Sequence, residues 1–207
     1  MKGPFLALAV AALAFAPVAT IGGDDLLGRA AALNPNLRSY TATLHAHVVL
    51  TSFPFISTDL TGTYYHKDPD KDKLDITSGL PGIAKQFSKL YPHIVNPPQW
   101  PAAFAVTKGD DDGTLTTYAL VPRKRGNIAR IDASINDKDA TVTSMAWHYY
   151  NGGTATMRNA YSKIGGDVVV TSQSGTVDEP GYKGNVTSTL DGYTMNPKLA
   201  DSIFEQP

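Results

Sequence analysis

A regular alternation of apolar and polar side chains over residues 39–51 is the feature that most constrains the fold. Every second residue is apolar, and the apolar positions are Tyr40, Ala42, Leu44, Ala46, Val48 and Leu50. Because successive side chains of a β-strand point to opposite faces, this period of two predicts a strand with one buried face. Residues 56–67 and 73–77 are predicted as the next two strands, with turns at Pro54 and at residues 68–71.

The chain after residue 102 continues as short segments separated by turns that contain glycine, asparagine or proline. Strands are predicted over residues 103–108, 114–121, 127–135, 140–150, 154–163, 167–176 and 182–190. Short helices are predicted over residues 24–33 and 197–204. Because most strands follow one another without helices between them, the predicted fold is mainly β. It is one large, curved antiparallel sheet in meander order, with helices on one side.

One segment, residues 80–101, interrupts this succession of strands. Apolar side chains recur at helical spacing over residues 80–91, between Pro81 in the first turn and Pro92 after the last, and an apolar arm with Trp100 follows. We predict that this helix is a lid that closes a hydrophobic cavity on the concave face of the sheet. The alternative is a core helix over a concave face filled by large side chains. The candidates for that filling are Tyr64, Phe104, Tyr118, Met145, Trp147, Met157 and Tyr161.

The N-terminal residues and the composition narrow the class of protein. Residues 1–20 combine a basic start with a run rich in alanine and leucine, which predicts a secretory signal peptide, with an uncleaved anchor as the alternative. Residues 21–207 are predicted to form a single domain that is exported to a periplasm or outside the cell and is soluble after cleavage. The chain has no cysteine and a formal net charge of −1. Disulfides and thiol chemistry are therefore excluded, and we predict no nucleic-acid partner.

Three polar clusters are candidates for local chemistry, and a solvated surface role is the alternative for each. His45 and His47 lie two apart on one strand face, as a metal pair would. Residues 110–112 are aspartates that could contact calcium, and the basic residues 123–125 could dock on acidic headgroups or a partner protein. The sequence contains no nucleophile elbow, P-loop, dinucleotide fingerprint or zinc-protease motif. We therefore predict a binding protein rather than an enzyme, with no cofactor and no metal.

Three stretches of the sequence resemble the LolA-like family of periplasmic lipoprotein and lipid carriers, which includes the LolB-, LppX- and RseB-like proteins. They are the strand start Ser-Tyr-Thr-Ala at residues 39–42, the turn at residues 65–70, and the closing pattern formed by Tyr193, Asn196, Pro197, Asp201 and Phe204. The matching layout covers nearly all of residues 21–207. The resemblance implies an unclosed β-barrel with a helical lid over a hydrophobic cavity, and transport rather than catalysis.

The ligand and partner expectations follow from this resemblance. It implies a lipid or an acylated lipoprotein as ligand and a membrane-associated donor or acceptor protein as partner; we also predict a monomer. In the lipoprotein carriers an arginine commonly precedes the proline of the second turn and latches the lid, but this chain has Asp68 there, which cannot donate such hydrogen bonds. We therefore predict closure by apolar packing. The predicted cavity and lid residues are Leu44, Val48, Leu60, Tyr64, Ile76, Ile83, Phe87, Leu90 and Trp100.

Two alternatives to a carrier remain open at the level of sequence. One is an RseB-like sensing module that reads a lipid or an extended peptide and contacts a membrane partner protein. The other is a structural β-domain whose concave face is filled by its own side chains.

Overall fold

The computed structural model of the chain describes residues 25–52, 55–69, 71–79, 82 and 96–205. The predicted signal peptide at residues 1–20 lies outside the described residues, as does the predicted lid helix at residues 80–91 apart from Gly82. Within the described ranges, no helix is long and apolar enough to cross a membrane.

Ten strands and two short α-helices form the framework of the described residues. The strands are β1 Ser39–Leu50, β2 Ile56–Lys67, β3 Lys71–Ser78, β4 Phe104–Asp111, β5 Leu115–Pro122, β6 Ile128–Asn136, β7 Val142–Tyr149, β8 Thr154–Ile164, β9 Asp167–Glu179 and β10 Tyr182–Met195. The helices are α1 Asp25–Ala31 and α2 Trp100–Ala103, with 3-10 helices at Pro97–Gln99 and Asp201–Ile203.

All ten strands form one antiparallel sheet in the order β3-β2-β1-β10-β9-β8-β7-β6-β5-β4. The mainly β fold and the single large antiparallel sheet predicted from the sequence are therefore confirmed. The order departs from a simple meander at one place, because β1 pairs with β10. Two meanders, β1 to β3 and β4 to β10, are joined there. Within the described residues β3 and β4 are the two edges, so the sheet is not closed.

The pairing of β1 with β10 follows from the hydrophobic pattern of both strands. Leu44 lies opposite Leu190, and Val48 lies opposite Val186, so the apolar side chains of the two strands share one face. On its other edge, β1 places Ala46 opposite Leu60 of β2. Because a register slip of one residue would turn these side chains to the other face, the alternation fixes the pairing.

The apolar face of the sheet carries two clusters of buried side chains. The helix-side cluster joins α1 and α2 to β4–β7 and consists of Leu26, Leu27, Ala30, Trp100, Phe104, Tyr118, Leu120, Ile131, Ala133, Ile135, Ala140, Val142 and Met145. The hairpin-side cluster lies on β1, β2, β3 and β10 and consists of Ala42, Leu44, Ala46, Val48, Leu50, Leu60, Leu74 and Leu190. Removing this apolar surface from water, at about 25 cal/mol per Å², is the main favourable contribution to folding.

The predicted C-terminal helix over residues 197–204 is wrong. Only a single 3-10 turn forms there, at Asp201–Ile203. The carbonyl of Pro197 accepts a hydrogen bond from the Ser39 hydroxyl, and the carbonyl of Leu199 accepts one from the Lys67 ammonium group. These two carbonyls are satisfied by side chains of β1 and β2, so they do not require helical N–H donors.

Candidate functional site

The structure groups five of the predicted cavity residues together. Leu44, Val48 and Leu60 belong to the hairpin-side cluster, where they are 0%, 6% and 1% exposed. Tyr64 and Ile76 pack against the same cluster. The predicted lid residues Ile83, Phe87 and Leu90 lie outside the described residues and stay predictions.

Trp100 lies in the other cluster. It is 0% exposed, packs among the helix-side residues, and its ring centre is 6.3 Å from that of Tyr118. The large side chains proposed as core fillers lie mainly on this side of the face as well. Members of the helix-side cluster or side chains packed against it are Phe104, Tyr118, Met145, Trp147 and Met157.

The three stretches that carry the family resemblance meet at one end of the hairpin-side cluster. We call this place the turn junction; it comprises residues 38–40, residues 64–72 apart from residue 70, and residues 193–201. The Asn196 side-chain oxygen accepts hydrogen bonds from the backbone N–H groups of Arg38, at 2.7 Å, and Ser39, at 3.4 Å. Lys67 and Lys71 both reach the Asp201 carboxylate, at 2.7 and 2.8 Å. The closing segment is thus fastened to the first hairpin by polar contacts.

Asp68, which occupies the place of the family's latch arginine, is held inside the turn junction. Its backbone N–H donates to the carbonyl of Arg38 at 2.8 Å, and its carboxylate lies 3.5 Å from the Arg38 guanidinium. The second carboxylate oxygen lies 3.3 Å from Nε2 of His66. The carboxylate therefore organises its own turn, together with the arginine that immediately precedes β1.

His66 is the buried centre of the turn junction. Its Nδ1 lies 2.8 Å from the Asp72 carboxylate, which also accepts a 2.5 Å hydrogen bond from the Tyr64 hydroxyl. The ring of Tyr40 stacks on the imidazole at 4.9 Å. Burial opposes the charged imidazole, but hydrogen bonds and charge attraction from Asp72 and Asp68 outweigh it. Together they raise the pKa of His66 above its ordinary value.

A contact between the turn and the segment that precedes α2 was not evident from the sequence. The Gln99 side-chain amide donates a 2.5 Å hydrogen bond to the carbonyl of Pro69, thirty residues away along the chain. The direction is the reverse of an arginine latch, because here the turn accepts the hydrogen bond and the segment before α2 donates it. No spacing rule connects the two positions, so only the folded structure reveals this contact.

The opposite face of the first hairpin carries an exposed chain of serine, histidine and aspartate. His47 Nδ1 lies 2.7 Å from Asp59, and its Nε2 lies 3.3 Å from the Ser57 hydroxyl. The His47 and Asp59 side chains are 47% and 87% exposed, so water screens their interaction. The N–H groups of β1 pair with β2 and β10 rather than converging on a site beside Ser57. The arrangement thus favours a solvated polar group over acyl transfer.

The other polar clusters named from the sequence have local partners. His45 lies 3.9 Å from Asp191, and in the part of the chain that the structure describes no three His, Asp or Glu side chains form a group that could hold a metal. Asp111 and Asp112 accept hydrogen bonds from backbone N–H groups of their own turn, which lowers the pKa of both carboxyls. Arg123 donates to the carbonyl of Pro101, within α2.

Comparison with known proteins finds similarity in structure. The sequence matches no protein-family model and no curated protein. A DUF1329 family protein from Desulfovibrio piger superposes with a TM-score of 0.59 at 11% identity, over 87% of this chain and 95% of that chain. A LolA superfamily protein from Nitrosomonas europaea gives 0.57 at 10% identity, over 87% and 96%. A Vibrio parahaemolyticus domain assigned to outer membrane lipoprotein sorting gives 0.59 at 9% identity, over 87% and 94%.

An open antiparallel sheet with short helices on its apolar face defines a class of single-sheet folds, and such a fold by itself specifies no activity. Within that class, this chain has the LolA-like fold. The identities are so low that the superpositions establish the fold alone.

Proposed function

We propose that the chain is an exported carrier that holds the acyl chains of a lipid, or of a lipoprotein, against the hairpin-side cluster. The observation that carries the proposal is the composition of this cluster, which consists only of alanine, leucine and valine. Burying an acyl chain contributes about 0.8 kcal/mol per methylene, so an aliphatic surface can hold such a ligand without any polar group. The LolA superfamily and lipoprotein-sorting structures that share the fold support this ligand class.

Binding in this proposal begins from a closed state. Leu44 and Leu60 are almost fully buried, so an acyl chain must displace the side chains that cover them. The Gln99 to Pro69 hydrogen bond ties the segment before α2 to the turn junction, at one end of the hairpin-side cluster. A neutral hydrogen bond contributes about 0.5–1.5 kcal/mol net, which is comparable to the burial of about one to two methylenes. A ligand of ordinary chain length can therefore open this contact at little cost.

The location and partners belong to the same proposal. Export would follow from residues 1–20, and a membrane-associated donor or acceptor protein would load or unload the ligand. The activity we propose is binding, because the exposed Ser57, His47 and Asp59 chain lies on the face opposite the aliphatic cluster.

Native mass spectrometry of the protein, exported and purified without detergent, tests the proposal. We expect co-purified lipid masses, and saturable uptake of a fluorescent fatty acid after delipidation. The absence of both lipid and uptake would refute the carrier. Affinity purification from the same cells separates the RseB-like alternative, for which one stoichiometric membrane protein should be recovered in place of lipid.

A further inference from the structure

A cavity of about 650 Å³ spans five strands, and three consecutive residues of each strand line it. The middle residues include Ala46 and Leu60 of the hairpin-side cluster, whose side chains are 4% and 1% exposed. Because side chains alternate along a strand, we assign the cavity to the residues that flank these middle positions, on the polar face of the sheet. Five neighbouring strands, β8, β9, β10, β1 and β2, form its wall and floor. Each strand contributes two outward side chains, and five of the ten carry hydroxyl groups. The ten are Arg158, Ala160, Ser172, Ser174, Thr187, Thr189, His45, His47, Asp59 and Thr61.

The strand register arranges these side chains as a trough. Arg158 lies opposite Ser174 of β9, Ser174 lies opposite Thr187 of β10, and Thr187 lies opposite His47 of β1. The two middle strands thus present only short hydroxyl side chains. The strands on either side present a guanidinium group and imidazole rings, which stand higher above the sheet. Short residues between long ones make a hydroxyl-lined floor, with Arg158 on one side and the two histidines, which lie near Asp59 and Asp191, on the other.

Arg158 is the charged group without a counter-ion in this trough. Within the described residues it has no ion pair or hydrogen bond, whereas Arg130, on the same face of the sheet, lies 3.0 Å from Asp132. Asp132 lies two strands from Arg158 on this face, but Arg130 and His148 already contact its carboxylate. Asp59, on the far side of the trough, lies four strand spacings from Arg158, about 19 Å along the sheet, so salt largely screens it. The local field beside Arg158 therefore favours an anion.

We propose that this trough binds a small water-soluble anion through a phosphate or carboxylate group. Arg158 donates charge-assisted hydrogen bonds to the anion, and the hydroxyls of Ser174 and Thr187 donate from the floor. The sheet separates the trough from the apolar clusters, so a lipid bound on the apolar face cannot place its headgroup here. The site is thus independent of the proposed carrier function.

Isothermal titration calorimetry of the whole exported chain at low ionic strength tests the site. Inorganic phosphate and citrate are the two probes, because they separate phosphate from carboxylate recognition. We expect saturable binding of at least one of them. Arg158→Gln should weaken it about tenfold or more, since it removes a charge-assisted pair. Thr187→Val, which keeps the shape and strand propensity of the residue, should weaken it several-fold.

Arg130→Gln is the matched control, because it removes an arginine from the same face that already has a carboxylate partner, and binding should be unchanged. Equal affinity in wild type and Arg158→Gln, with both proteins folded by circular dichroism, would overturn the proposal. So would the absence of saturable binding of either probe in the millimolar range. Binding to phosphatidylglycerol vesicles without binding of either soluble anion would also overturn it, because the source would then be a membrane surface.

Discussion

The two clusters on the apolar face differ in the side chains that fill them. In the helix-side cluster, Trp100, Phe104 and Tyr118 interlock between the helices and the sheet. The hairpin-side cluster is aliphatic throughout, and aromatic rings occur only among the residues packed against it, such as Tyr64 and Tyr193. One sheet therefore carries a core with three buried aromatic rings on one half and a buried, entirely aliphatic cluster on the other.

This difference indicates which half of the sheet can replace its contacts with covering side chains by contacts with a ligand. Interlocked aromatic rings lose many specific contacts when they move apart, so the helix-side cluster is suited to holding the fold. An aliphatic surface can replace contacts with covering side chains by contacts with acyl chains, and no polar group becomes unsatisfied. The marginal tyrosines are anchored by their hydroxyls, since Tyr64 donates to Asp72 and Tyr193 donates to the carbonyl of Val170. They can therefore form a fixed rim around an exchangeable surface.

The largest expected effect comes from removing the central ring of the helix-side cluster. Trp100→Ala should lower the free energy of unfolding by about 3–5 kcal/mol, because it leaves a cavity at a fully buried site. Urea unfolding measures this loss. Fatty-acid uptake per folded molecule should stay near the wild-type level. A stable variant that has lost uptake would instead make Trp100 the lid residue that the sequence predicted, and the contrast between the clusters would fail.

The position of Trp100 is an example of a feature that the sequence alone could not predict. Its place after the predicted lid helix suggested contact with Leu44 and Leu60, but α2 leads directly into β4 and so packs on the helix-side half. The first strand and its buried face were predictable, because the alternation over residues 39–51 determines which side chains are buried. Which half of the sheet a connecting segment covers depends on non-local packing, which leaves no periodic signal.

Non-local packing also explains the other features that the sequence did not predict. Turn residues specify hairpins between consecutive strands, so they could not reveal that β1 pairs with β10. The trough at Arg158 depends on that pairing, because it brings β8–β10 beside the first hairpin. The turn junction was visible only as three separate stretches of family resemblance. Their contacts, such as Lys67 with Asp201, join residues 134 positions apart.

A matched pair of substitutions compares the two halves directly. Ala46→Phe places a bulky ring in the hairpin-side cluster, and overpacking should lower the free energy of unfolding by about 1–3 kcal/mol. The ring would also occupy the surface proposed for acyl chains. We therefore expect fatty-acid uptake to be largely abolished, as measured by fluorescence titration of the folded variant.

Ala133→Phe is the control, because Ala133 is a buried alanine on a strand of the helix-side cluster. It should destabilise the protein by a similar amount and leave uptake intact. Equal loss of uptake in both variants would mean that the ligand contacts the whole apolar face, and the division into core and binding surface would be wrong.

The smallest expected effect is a change of melting temperature with pH. It should come from His66 in the turn junction, at one end of the hairpin-side cluster. The pKa of His66 is raised above its ordinary 6.5, because Asp72 and Asp68 outweigh the opposing effect of burial. A group with a raised folded-state pKa contributes its full stability below the unfolded pKa and loses it as pH rises through the folded value. Wild-type melting temperature should therefore fall between about pH 6 and pH 8.

His66→Gln keeps a hydrogen-bonding side chain but cannot titrate, so its melting temperature should depend less on pH over this interval. The exposed histidines His45 and His47 remain in both proteins, and their contribution cancels when the two pH profiles are subtracted. Thermal melts followed by circular dichroism provide the measurement. If the wild type and the variant show the same slope, the His66 network does not titrate in this range. If the slope is lost, the turn junction couples pH to the half of the sheet where we place the ligand.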